Sequence, residues 1–133
     1  MKPGFLVLAL SVAAACVDRL PDQDLRILTA TPTVKMSADL LWKEFQQNAD
    51  RARRTYFGKV VEITGTATKV GTDAPNERYV LFGQGGEAGV RAWLLDDGAG
   101  AVLSGAGENS RVTLRCFCEG LSGDVVLRSC VKP

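Results

Sequence analysis

The residues with most capacity for chemistry in this 133-residue chain are its four cysteines, Cys16, Cys116, Cys118 and Cys130. The sequence contains no histidine, which removes imidazole zinc ligands, Ser-His-Asp and Cys-His catalysis, and the usual switch near neutral pH. Cys116, Cys118 and Cys130 offer one Cys-x-Cys pair and one distant thiol, without the Cys-x-x-Cys spacing or fourth ligand of a zinc site. No metal and no cofactor is expected. Asp96-Asp97 before Gly98 reads as a turn, because nothing identifies a second acid at a working distance for paired-carboxylate catalysis. The run Gly83-Gln84-Gly85-Gly86-Glu87-Ala88-Gly89 lacks Gly-Lys-Ser/Thr and leads into a strand, whereas phosphate loops open a helix. It reads as a hairpin connection. With no catalytic constellation, the expectation is a protein that is not an enzyme.

Binding is the remaining chemistry. Arg91, Trp93 and Leu95 alternate with Val90, Ala92 and Leu94, so one of the two sets faces away from the core. Trp93 and Arg91, with Tyr79 on the preceding candidate strand, are the ligand-face candidates, since aromatic rings stack on ligand rings. The competing reading is that they pack against another part of the protein. Arg51, Arg53 and Arg54 form the only basic cluster in the sequence. With Asp50 adjacent, it reads as a solvated helix face, and as a contact for phosphates or anionic headgroups in the alternative.

At the start of the chain, Lys2 precedes an apolar run from Phe5 to Val12, broken only by Ser11, and then Ala13, Ala14 and Ala15. A positive region, an apolar region and small residues are the parts of an export signal. The apolar stretch from Gly4 to Ala15 is well short of the roughly 20 residues that span a bilayer as a helix. Val12-Ala-Ala-Ala-Cys16 resembles the lipobox of bacterial lipoproteins, in which the cysteine thiol receives a diacylglycerol before cleavage. That resemblance makes Cys16 the lipid attachment site and places the protein at a membrane surface, exported into the envelope and facing the periplasm. Ala13-x-Ala15 also fits ordinary secretory cleavage.

Without residues 1–15 the basic residues fall from 16 to 15, equal to the 15 acidic ones. Nucleic-acid binders usually carry a basic excess, because releasing counterions supplies much of their affinity, so the balance argues against such a partner. Apolar residues at 46% against 23% charged are enough for a buried core. The chain divides into a signal at 1–15, a tether at 16–36 and a single domain at 37–133. Within the tether, Leu25-Arg26-Ile27-Leu28 could instead dock on the domain as an added strand.

Ser37 and Asp39 suit a helix start. Leu41, Phe45, Ala49, Ala52 and Tyr56 recur at helical spacing and predict one amphipathic helix ending before Gly58. From Val61 the period becomes two, with Gly65 expected at a bend or bulge. Further strands are expected at Arg78 to Phe82, Val90 to Leu95, Arg111 to Cys118 and Val125 to Val131. The expected fold is mainly β (α+β), a five-stranded OB-like barrel with the helix packed on it.

Ala38-Asp39-Leu40-Leu41 through Asn48, Tyr56-Phe57-Gly58-Lys59-Val60-Val61-Glu62-Ile63-Thr64-Gly65-Thr66, and Gly123-Asp124-Val125-Val126-Leu127-Arg128-Ser129-Cys130 resemble the tRNA_anti-like proteins of bacterial envelopes. The resemblance implies an OB fold with no established activity. OB domains bind oligonucleotides or oligosaccharides around their second and third strands, which is where Tyr79, Arg91 and Trp93 would fall. It also implies Cys118 as the disulfide partner of Cys130. Strand parity points Cys130 away from Cys116 and Cys118 unless a bulge intervenes, so pairing with Cys116, with Cys118 or with neither stays open. The expected function is a binding module anchored to the membrane by lipid, with an envelope protein or glycan as partner. Single-stranded nucleic acid is the alternative.

Overall fold

A computed structural model describes residues 23–133, except 75–76, 86–87, 96–98, 100–101 and 103–106. The export signal, Cys16 and the Asp96-Asp97 turn lie outside the described residues. The chain runs through a 3₁₀ turn (Leu25–Leu28), β1 (Val34–Ser37), α1 (Ala38–Gln47), α2 (Ala49–Tyr56), β2 (Val60–Thr66), β3 (Lys69–Ala74), β4 (Glu77–Gly83), β5 (Gly89–Leu94), β6 (Arg111–Ser122) and β7 (Asp124–Val131).

The seven strands form one sheet in the order β1-β2-β6-β7-β5-β4-β3. The protein is mainly β, as expected, but the sheet is open and not a closed five-stranded barrel. The two additional strands stand at its two ends. β1 pairs in parallel with β2, Val34 beside Val61 and Met36 beside Ile63, and the Thr33 amide donates to the Val60 carbonyl at 2.7 Å just before the ladder begins. β3 pairs antiparallel with β4.

The folded unit therefore begins inside the stretch read as a tether. Leu25-Arg26-Ile27-Leu28 docks as a 3₁₀ turn, not as a strand. Its Asp24 cap accepts from the Arg26 amide at 3.0 Å, and Ile27 is wholly buried with Leu95 and Val131 in a small second core. Burying the isoleucine offsets part of the loss of chain freedom, which a polar linker could not do.

Ser37 caps α1, its Oγ accepting from the Leu40 amide at 3.1 Å. The single expected helix is broken at Asn48. That residue is extended (φ −159°, ψ 93°), and its Oδ1 accepts from the Arg51 amide at 3.0 Å, starting α2 afresh. Asparagine competes for backbone partners in this way, which favours caps over helix interiors. The break turns Ala49 outward, while Leu41, Phe45, Ala52 and Tyr56 remain buried. The Tyr56 hydroxyl donates to Glu44 Oε1 at 2.6 Å and ties the two helices together. Burial first, then this bond and the Glu44 charge, push the Tyr56 hydroxyl up to about 12, so it remains a donor at neutral pH.

α1 lies against β1, β2 and β5, and α2 against β6. Between helices and sheet sits the main core, which includes Phe45, Ile63, Phe82, Leu94, Leu114 and Leu127. Gly65 is paired with Val112 in unbroken register, so it is not a bulge. A Cβ there would lie 2.9 Å from the Phe82 ring and 3.0 Å from the Ala38 methyl, and the missing side chain is what lets α1 and the phenylalanine meet over β2.

Candidate functional site

β4 and β5 are antiparallel, with Tyr79 opposite Trp93 and Leu81 opposite Arg91. The period of two sends Val80, Phe82, Val90, Ala92 and Leu94 into the core and turns Tyr79, Arg91 and Trp93 to the other face. There the three side chains meet. The Tyr79 and Trp93 rings are 5.2 Å apart at 63°, an edge-to-face pair. The Arg91 guanidinium lies 4.4 Å from the Tyr79 ring centre and 5.9 Å from that of Trp93. Both distances suit cation–π attraction.

The position of Arg91 is fixed from β7. Its Nε donates to Asp124 Oδ2 at 2.9 Å, while the Gly89 amide donates to Asp124 Oδ1 at 3.0 Å. Burial works against the guanidinium charge, but the bonds to Asp124 and Tyr79 outweigh it and raise the pKa of Arg91 further above its ordinary value. Tyr79 is 3% exposed, lying over Gly71 of β3, where a Cβ would come within 2.8 Å of the tyrosine oxygen. The tyrosine is thus a buried base for the cluster, and only Arg91 and Trp93, both half-buried, have surface to offer a ligand. Asp124→Asn is expected to cost about 1.5 kcal/mol in urea denaturation, the scale of one hydrogen bond to a charged group with little solvent access.

The cysteines resolve differently from the pairing that the resemblance implied. Cys116 is bonded to Cys130, and Cys118 is free and buried. The cause is a bulge. Arg115 pairs with Val131 and Phe117 with Arg128, so Ser129 and Cys130 together oppose Cys116. Ser129 takes up the extra residue with φ at +56°, and the shift rotates Cys130 to the core face that strand parity denied it. Burial, then the nearby Glu119 charge, push the Cys118 thiol up to about 12 against an opposing bond from the Gly120 backbone. A thiol held protonated in this way is not a nucleophile at neutral pH.

The arginine cluster divides. Arg51 lines a hollow with Glu44, Gln47 and Thr55, whereas Arg53 and Arg54 flank Phe57, a 54% exposed aromatic residue in the turn after α2. Phe57 also borders a second pocket of about 180 Å³, shared with Asp24, Arg26, Phe117, Glu119 and Arg128. The sequence reading did not find this surface. One signal was present: Tyr56 sits on the apolar stripe of the helix, so its neighbour Phe57 must lie off it.

The loop between β4 and β5 is a hairpin connection as expected, its Gln84 amide donating to the Ala88 carbonyl at 3.1 Å. Among the described residues there is no group of three or more Cys, Asp or Glu placed to hold a metal ion, and no helix long and apolar enough to cross a membrane.

These features define a small domain of mainly β structure with an open seven-stranded sheet, bearing an aromatic–arginine cluster on the sheet face away from the main core. The chain belongs to the tRNA_anti-like family, whose model matches residues 4–131. Its fold is similar to that of a lipoprotein from Klebsiella pneumoniae subsp. pneumoniae MGH 78578 described as a candidate nucleic acid-binding protein. The TM-score is 0.56 at 14% identity, over 80% of this chain and 92% of that one. No curated protein matches the chain.

Proposed function

We propose that this protein is a lipid-anchored, periplasm-facing module of the bacterial cell envelope that works by binding a protein or glycan and performs no catalysis. Location rests on the signal features of Met1 to Ala15, on Cys16 after them, and on the similarity to a lipoprotein. The observation that carries the binding reading is the cluster on β4 and β5. Trp93, half-buried, keeps part of its side chain accessible beside an Arg91–Asp124 pair, in which donors and an acceptor are already held in place. Sugar rings and protein side chains suit such a surface, because apolar stacking and paired polar groups meet in one spot. Arg91 is neutralised by Asp124, and charge over residues 16–133 is balanced, which disfavours phosphate backbones.

The test is titration of Trp93 emission with cell-wall glycan fragments and with an envelope protein extract, in a Trp42→Phe variant so that Trp93 reports alone. A saturable shift with either ligand, weakened in Arg91→Gln, is expected; silence with both would overturn the assignment. The second reading, single-stranded nucleic-acid binding, is favoured by the description of the Klebsiella lipoprotein. It requires an electrophoretic shift of oligonucleotides at low salt that disappears steeply as salt rises.

A further inference from the structure

We infer that the surface around Phe57, opposite in character to the Trp93 cluster, is a docking face for an anionic lipid bilayer, with Phe57 entering the headgroup region and Arg53 and Arg54 meeting lipid phosphates. The inference rests on the envelope location proposed above and adds the orientation of the domain on the membrane.

Three observations converge. The first is an aromatic residue held out of the core by rigid backbone. Phe57 is 54% exposed, yet the turn that carries it is fastened to β6. The Gly58 amide donates to the Cys118 carbonyl at 2.8 Å, and the Cys118 amide to the Lys59 carbonyl at 3.0 Å. A phenylalanine displayed in this way loses little freedom on being buried by a partner.

The second is charge. Arg53 stacks on Phe57 at 5.1 Å from the ring centre, and Arg53 and Arg54 share the hollow beside the ring with Asp50. Among the described residues neither arginine is in an ion pair, whereas Arg26, Arg91 and Arg128 are matched by Asp24, Asp124 and Glu119. An aromatic residue flanked by unpaired arginines is the composition of an interfacial membrane contact.

The third is where the chain enters the domain. The pocket on the other side of Phe57 is walled by Asp24 and Arg26, and Gln23 lies seven residues after Cys16. At about 3.5 Å per residue those seven residues reach no more than about 25 Å. A domain held so close to its anchor presents the entry side to the bilayer, and Phe57 is on that side. The same entry turn exposes Leu25 and Leu28. A nucleic-acid partner would use the arginines but has no need of the apolar residues beside the anchor.

The test separates docking from anchoring. The full chain is expressed with export, and mass spectrometry of the processed product reads whether Cys16 is acylated; a bare Cys16 would count against the anchor and leave the docking measurement intact. The exported product of Cys16→Ser, which cannot be acylated, is then floated with vesicles of phosphatidylcholine with and without phosphatidylglycerol. Binding to the anionic vesicles alone is expected, weakening as salt rises. Removal of each arginine by Arg53→Gln or Arg54→Gln should weaken it by about five-fold, and Phe57→Ser by about ten-fold. As a second measurement on the acylated protein, Phe57→Trp in a Trp42→Phe, Trp93→Phe background should be quenched by lipids brominated in their acyl chains. Equal flotation with both vesicle types, indifference to the three substitutions, or absence of quenching would overturn the docking face. So would tighter binding of a single-stranded oligonucleotide through the same residues.

Discussion

Replacing Cys116 and Cys130 together with alanine is expected to remove about 3 kcal/mol of stability, the chain-entropy value of a disulfide closing a loop of this size. The two cysteines are separated by 14 positions in sequence, and both are fully buried. The bond holds the β6–β7 ladder together at the bulge, where regular pairing lapses. Urea denaturation measures the loss. The informative comparison is Cys118→Ala, which removes a buried sulfur and no cross-link, and should cost only about 1 kcal/mol. If Cys118 were the partner of Cys130, Cys118→Ala would break the cross-link as well and cost about as much as the double replacement, and peptide mapping under non-reducing conditions would join the other pair.

The second large effect is expected from Phe45→Ala, at about 3 to 5 kcal/mol for a large side chain removed from a packed interior. Phe45 is 1% exposed and its ring centre lies 6.4 Å from that of Tyr56, so it joins α1 to α2 across the Asn48 break as well as filling the core. The thermal midpoint should fall by on the order of 15 °C. Leu40→Ala is the control on the same helix: Leu40 is 45% exposed, and its truncation should stay within about 0.5 kcal/mol.

The parts of the fold legible in the sequence were those set by local periodicity. Val61 and Ile63, Val80 and Phe82, Val112 and Leu114, and Val125 and Leu127 each alternate with residues of the other face, and each marks a strand that forms. β1 and β3 were hidden for a physical reason. Val34-Lys-Met-Ser is four residues long and gains its place only by parallel pairing with a strand more than twenty residues on. Lys69–Ala74 carries Lys69, Gly71, Thr72 and Asp73 in place of an apolar alternation. The helix break was hidden because the apolar stripe continues on both sides of Asn48, and a cap in mid-helix leaves that stripe almost undisturbed. At the candidate site, alternation was enough to bring Tyr79, Arg91 and Trp93 to one face. It could not tell that Tyr79 is covered, since that depends on Gly71 of the unpredicted β3, or that Asp124 holds Arg91, since that depends on the β5–β7 crossover. Parity failed for Cys130 because one left-handed residue, Ser129, resets the count.

The place of β7 in the sheet has a consequence for assembly. The last strand in sequence lies between β6 and β5, at the middle of the sheet order, and its parallel pairing with β5 is made across β6 and the residues that join β5 to β6 in sequence. Until residues 124–131 are available, the sheet exists only as two separate sets of strands, and the cross-link from Cys130 has nothing to close. Under the export proposed above, this arrangement would postpone cooperative folding to the end of passage across the membrane. An exported chain of this topology would stay unlocked while it crosses and become a resistant unit only on the oxidising side, where its final strand and its disulfide arrive together.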